Sequence, residues 1–183
     1  MQGRRDIPLS ERGRLQARGW RLPVELADGA AWRSSPLSRA TETAELLGGR
    51  GIEIDAALIE MSWGDWEGFT LDELREAHGD AYAQNEARGL DFRAPGGESP
   101  REVLARLQPW LARVAASAVP VVAVTHLGVI RVLVAAATGW DMKGKPPIRL
   151  RNDALHRVDI DKRGRVAIVD CNVSLAFPPP SAP

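Results

Sequence analysis

Three polar side chains in this sequence fall where an α/β fold does chemistry. His126 follows the apolar run Val119–Val124 and precedes Leu127-Gly128-Val129-Ile130-Arg131. The run reads as a strand buried on both faces, of the parallel-sheet type, with Pro120 tolerated at its start. Val129, Ile130, Val132, Leu133 and Ala136 then recur at helical spacing. The histidine therefore stands at the carboxyl end of a strand, where open α/β sheets bind ligands. A helix starting beside it offers free N–H groups and a positive dipole end, which suit an anion. Arg39 lies in the first turn of a helix that follows Ser34-Ser35-Pro36-Leu37-Ser38. From there its guanidinium can reach over the strand end and grip an anion through two N–H groups. Glu60 ends a third strand-like segment, beneath the loop Trp63-Gly64-Asp65-Trp66-Glu67-Gly68. A carboxyl group under aromatic rings has a raised pKa and suits a general acid. Taken singly, these are also a turn histidine, a solvated helix arginine and a surface glutamate. Together they put three polar groups at three strand ends of one sheet.

The elements that must position them follow from local signals. Ser10 reads as the N-cap of a helix that ends before Pro23. Ala30–Ser34 and Ile52–Ile54 are short strands, and Ser38–Leu47 is a helix closed by Gly48-Gly49. Thr70 caps a helix to about Ala77, and another runs to Arg88. Ser99 and Glu102 form a capping box for a long amphipathic helix to about Ala116, with Pro109 a candidate kink. Ala154–Asp161 and Arg165–Asp170 pair as a hairpin across Lys162-Arg163-Gly164. Strands alternating with helices predict a three-layer α/β domain, a mostly parallel sheet with an antiparallel edge. One domain over residues 1–176 and a Pro-rich tail, 177–183, account for the chain.

Composition excludes several classes. Lys+Arg and Asp+Glu both number 24, so no net charge argues for nucleic acid or a membrane surface. No apolar run suits a spanning helix or a signal core. The single cysteine, Cys171, fits a cytoplasmic location. No His/Cys/Asp cluster has metal-ligand spacing, so no metal site is expected, and no residue pattern points to another cofactor.

In order along the chain stand Gln2-Gly3 with Asp6-Ile7-Pro8-Leu9-Ser10-Glu11-Arg12-Gly13, Ser34–Ala40, Glu60 with Gly64–Gly68, and Thr125–Arg131; Pro95-Gly96-Gly97-Glu98-Ser99 is a softer fifth block. This set resembles the histidine phosphatase superfamily, the phosphoglycerate mutase-like fold. The resemblance implies phosphoryl transfer, in which one histidine attacks phosphorus and becomes phosphohistidine. Two arginines and a second histidine hold the phosphoryl oxygens, a carboxylic acid protonates the leaving oxygen, and water hydrolyses the intermediate. Arg39 matches the second arginine, His126 the second histidine and Glu60 the acid. Gln2 and Gly3 fall on the substrate side. Leu127, where many relatives have Gly, narrows the pocket beside His126.

One block has no counterpart. The family's first strand carries Leu-x-Arg-His-Gly, with the nucleophilic histidine and first arginine, ahead of the Gln2-Gly3 block. Neither His78, His126 nor His156 precedes the Ser-Glu-Arg-Gly block. The expectations are therefore a phosphatase sequence truncated at its N-terminus and lacking its first central strand, or a catalytically inactive pseudo-phosphatase or phosphate-binding remnant. His78 is expected at the surface and His156 in a structural role. A small phosphorylated metabolite is the implied ligand, and a phosphomonoesterase is favoured over a mutase, because Phe69–Ala94 is short for the mutase insertion. Trp63, Trp66 and Phe69 pack either over a ring-bearing substrate or onto the core. Many relatives dimerise, which leaves a homodimer open, with no surface named for it.

Overall fold

Local signals set most element boundaries. The computed structural model describes residues 1–117 and 119–175. The Ser10 side chain accepts the Gly13 N–H and opens α1 (Glu11–Arg18); α2 (Val24–Ala27) is a single turn. β1 (Ala31–Ser34) leads into α3 (Ser38–Leu46), and β2 (Glu53–Ile54) follows. The predicted pair of helices after Thr70 is α4 (Leu71–Glu86), interrupted at Gly79, whose φ is 45°. Thr70 and Glu73 exchange both capping-box bonds. Ser99 and Glu102 do the same ahead of α5 (Pro100–Ser117), which continues through Pro109. β3 (Val121–Val124) and α6 (Leu127–Thr138) follow, then the hairpin β4 (Ala154–Ile160) and β5 (Val166–Ser174).

The parallel sheet has the order β2-β1-β3, in register from Ala31↔Val121 to Ser34↔Val124. Helices flank it, as an α/β fold requires. Two expectations need correction. The hairpin is not an edge of this sheet: β4 and β5 form a two-stranded sheet of their own. It is held by side-chain packing, with Ile160 and Val166 against the central apolar cluster. Nor is β3 buried on both faces: Val121, Val122 and Val124 are half-buried and Ala123 is exposed. The reason is the same in both cases. Among the described residues β3 has a strand on one side alone, so its other edge and part of its faces lack cover. The Pro-rich tail expected at 177–183 lies outside the described residues.

The core lies where α5 and α6 meet. Leu58, Met61, Val103, Leu107, Trp110, Leu111, Val129 and Val132 form one buried cluster. Each such side chain contributes about 1.5–3 kcal/mol relative to exposure. Because Val129 and Val132 anchor α6 in this cluster, the start of that helix is fixed against Leu58 and Met61, which flank Glu60. A second cluster joins Trp66, Leu74, Tyr82, Phe92 and Ala94 under α4.

Candidate functional site

Arg39 and His126 lie at helix starts as expected, but Glu60 does not end a strand: it follows the 3-10 turn Ala56–Leu58 and joins no sheet, and hydrogen bonds rather than a ladder hold it in place. His126 is the N-cap residue of α6, with extended backbone at φ −126° and ψ 160°. Its ring is buried, 8% exposed, and Nε2 lies 2.7 Å from Ser35 Oγ at the end of β1. Next to it, Thr125 Oγ1 donates to the Leu58 carbonyl at 2.7 Å, tying the end of β3 to the segment that carries Glu60. Burial, and after it the charges of Arg39 and Arg106, pushes His126 down from 6.5 to about 3. The imidazole is therefore neutral at physiological pH.

The Glu60 carboxylate accepts N–H bonds from Met61 at 2.8 Å and from Gly128, in the first turn of α6, at 3.3 Å. Gly128 has no side chain because one would strike this carboxylate: a Cβ there would stand 2.4 Å from Glu60 Oε1. Burial raises the Glu60 carboxyl above its ordinary 4.5. The Met61 and Gly128 N–H groups, then Arg39 and Arg106, oppose that rise without cancelling it.

Arg39, in the first turn of α3, donates to the carbonyls of Arg5 at 2.9 Å and Gly3 at 2.8 Å. A guanidinium has further N–H groups, which remain for a ligand. The Gly3 turn is held from the other side by Glu67, which accepts the N–H groups of Arg4 at 2.8 Å, Arg5 at 3.1 Å and Trp63 at 3.1 Å. Gly3 has φ 54°, and a Cβ there would collide with Glu67.

Arg39, Glu60, His126, Gln2, Gly3 and Leu127 all line one cavity of about 750 Å³. That volume is within the range of small-molecule sites. Leu127, 42% exposed, is an apolar wall beside His126. Trp63, Leu71, Tyr82 and Phe92 line the same cavity. Of the three aromatic residues of the loop, Trp63 alone faces it. Trp66 is buried against Tyr82, with ring centroids 5.3 Å apart, and together with the half-exposed Phe69 it borders a separate cavity. His78 lies exposed on α4 with its ring 5.6 Å from Trp66, and His156 Nδ1 accepts the Asn172 N–H at 3.3 Å across the hairpin. Neither reaches the main cavity. Among the described residues no group of three or more His, Cys, Asp or Glu is placed to hold a metal ion, and no helix is long and apolar enough to cross a membrane.

Sequence reading missed Ser35, Thr125, Arg106, Glu98 and Glu67 as site residues. Ser35 and Thr125 lie inside recognised blocks, but nothing local marks their partners, 91 and 67 positions away. The loop 62–68 also interlocks with 94–98: Asp65 N–H donates to Pro95 O at 2.9 Å and Glu98 N–H to Ser62 O at 2.9 Å.

Chemically, the cavity combines a neutral imidazole, a guanidinium, a helix start and a carboxyl group disposed to keep its proton. That set binds an oxyanion and can protonate a departing oxygen. Residues 1–173 match the model of the histidine phosphatase superfamily (branch 1). The chain is 36% identical over 156 residues to glucosyl-3-phosphoglycerate phosphatase of Mycobacterium tuberculosis, covering 74% of this chain and 66% of that protein, just under two thirds of its length. It is 34% identical over 175 residues to 2,3-bisphosphoglycerate-dependent phosphoglycerate mutase of Methylobacterium radiotolerans, covering 87% and 82%. The mycobacterial glucosyl-3-phosphoglycerate phosphatase in complex with inorganic phosphate superposes with a TM-score of 0.77 at 28% identity, covering 96% of this chain and 92% of that one.

Proposed function

Because the chain belongs to the histidine phosphatase superfamily, branch 1, we propose that its cavity is a phosphomonoesterase site for a small phosphorylated metabolite. The observation that carries this reading is the convergence of Arg39, Glu60 and His126 on one cavity at the carboxyl ends of β1 and β3 and the start of α6. Arg39 and the α6 N-terminus hold the phosphoryl oxygens, and the neutral His126 donates or accepts beside them as its tautomer directs. Glu60, protonated to higher pH than an ordinary glutamate, gives its proton to the leaving oxygen. A phosphohistidine and its hydrolysis complete the cycle. None of His78, His126 and His156 is assigned the attacking role: His126 holds the phosphoryl group, and His78 and His156 lie away from the cavity. One kinked helix and a short turn between Phe69 and Ala94 favour a phosphatase over a mutase.

A second reading is favoured by one fact: His126 is the single histidine among the described residues lining the cavity. A site that grips phosphate without a second imidazole binds a phosphorylated ligand and turns nothing over. The test compares the 183-residue chain with the same chain carrying an upstream Arg-His-Gly segment, by p-nitrophenyl phosphate hydrolysis and titration with inorganic phosphate. The proposed function expects phosphate binding in both, lost on His126→Ala, and hydrolysis in the extended chain. Hydrolysis by the unextended chain at a similar rate overturns the assignment of the attacking role. Binding without turnover in either chain favours the second reading, and absence of binding in both overturns the two together.

A further inference from the structure

Outside the groups that face the cavity, Glu98, Arg106 and Arg4 form one linked set of charges. Glu98 is nearly buried, its side chain 14% exposed, and it lies between the other two: Arg106 Nε at 2.9 Å and Arg4 Nη2 at 3.1 Å. Arg106, 19% exposed in its side chain, projects from α5 and donates onward to the backbone that leads into Glu60. Its Nη1 bonds the Ala57 carbonyl and its Nη2 the Ile59 carbonyl, the latter at 2.6 Å. Arg4 Nε donates to the carbonyl of Glu60 itself at 3.1 Å. One carboxylate thus orients two guanidinium groups, and the two bind three of the four carbonyls from Ala57 to Glu60. The fourth, that of Leu58, is taken by Thr125. This stretch includes a short 3-10 turn, Ala56–Leu58, and no sheet ladder. Its carbonyls would otherwise have few partners in the protein.

We propose that Glu98 and Arg106 are positioning residues: they fix the Ala57–Glu60 backbone and so set the depth at which the Glu60 carboxyl group lies against α6, beside His126. The proposal rests on the phosphatase reading for its catalytic meaning, but its structural content does not need turnover. Arginine is required at 106 because two separate carbonyls and a carboxylate must be met by one planar fork, which an ammonium cannot do. Glu98 is required because a guanidinium that is nearly buried needs a compensating charge and a fixed rotamer. Neither residue lines the cavity, and the hydrogen bonds of the pair reach it through the backbone that carries Glu60.

The amide signals of Met61 and Gly128 report the test, because both N–H groups bond the Glu60 carboxylate. Their chemical shifts would be followed against pH in the 183-residue chain and in Arg106→Lys and Glu98→Gln, with thermal melts in parallel. Arg106→Lys retains the positive charge and loses the fork; Glu98→Gln preserves volume and loses the orienting charge. If the pair positions Glu60, both variants let water reach the carboxyl group. The shared titration midpoint then falls toward that of a free glutamate, and the Gly128 shift change shrinks as its bond lengthens. The double variant is no worse than either single one, since both break one device. If the pair is merely structural, melting temperatures fall while the Met61 and Gly128 midpoint stays at the parent value, and the proposal is overturned. Should Arg106→Lys fail to fold, the milder Glu98→Gln carries the same readout. If the chain carrying an added Arg-His-Gly segment fails to hydrolyse p-nitrophenyl phosphate while the expected midpoint change is seen, the functional reading is refuted and this inference stands.

Discussion

Lowering the pH should unfold this protein through His126. The folded imidazole is held at about 3 and the unfolded one titrates near 6.5. Between those values the unfolded chain binds a proton that the folded chain refuses, so stability falls as pH falls. The contribution is fully present above 6.5 and is lost progressively toward 3. At pH 5 the linkage is RT ln(1 + 10^1.5), about 2 kcal/mol relative to pH 8. In a chain of this size that corresponds to about 4–8 °C of melting temperature. The assay is urea unfolding at pH 8 and pH 5 for the parent and for His126→Gln, whose amide can still bond Ser35. Other titrating groups, His156 included, are common to both chains and cancel. The parent should lose about 2 kcal/mol more than the variant over this interval. Equal losses would show that His126 is not held neutral, and the electrostatic account of the cavity would fail with it.

Glu60 carries the opposite sign. Its folded pKa lies above 4.5, so its contribution to stability is present below 4.5 and is lost as pH rises through the folded pKa. Glu60→Gln should therefore gain stability relative to the parent as pH rises, as seen in paired melts at pH 4 and pH 8. In a chain carrying the upstream Arg-His-Gly segment, the same variant should slow hydrolysis of alkyl phosphates by roughly 100-fold or more and abolish the fall in rate at high pH. Gly64→Ala meets Pro95 O at 2.1 Å with φ at 47°, and unfolding titrations should show a loss of roughly 3 kcal/mol or more. Leu107→Ala, at a fully buried position of the α5–α6 core, should lose about 2–5 kcal/mol while the Met61 and Gly128 amide titration stays unchanged.

What the sequence disclosed and what it withheld divide by range. Ser10, Thr70 with Glu73, and Ser99 with Glu102 announce helix starts because each cap is settled within four residues. Ser34–Ala40 and Thr125–Arg131 were legible because strand, turn and helix follow one another directly. The break in α4 was legible as two successive helices after Thr70, and the structure places it at Gly79, whose φ is positive. The half-burial of β3 was not legible, because the pattern of an apolar run says nothing of whether a strand lies beside it. The independence of the hairpin was hidden for the same reason. Arg106 and Glu98 read as ordinary charges of an amphipathic helix and a loop, since Arg106 meets the Ala57 carbonyl across 49 positions. Trp66 and Trp63 look equivalent in the loop, and tertiary packing alone buries Trp66 within the aromatic cluster and leaves Trp63 at its margin, against Phe92 and on the cavity wall.

The interlock of the loop 62–68 with 94–98 bears on protein engineering. Gly64 sits against the backbone of Pro95 to Gly97, two backbone bonds lace the segments together, and Glu98 leaves that lacing to reach Arg106. Grafting either loop alone from a relative would replace half of a fitted surface. It would also disturb the anchorage of Glu60, which neither graft contains. The unit of exchange is the two loops together, and any attempt to retune ligand preference through Trp63 inherits that restriction.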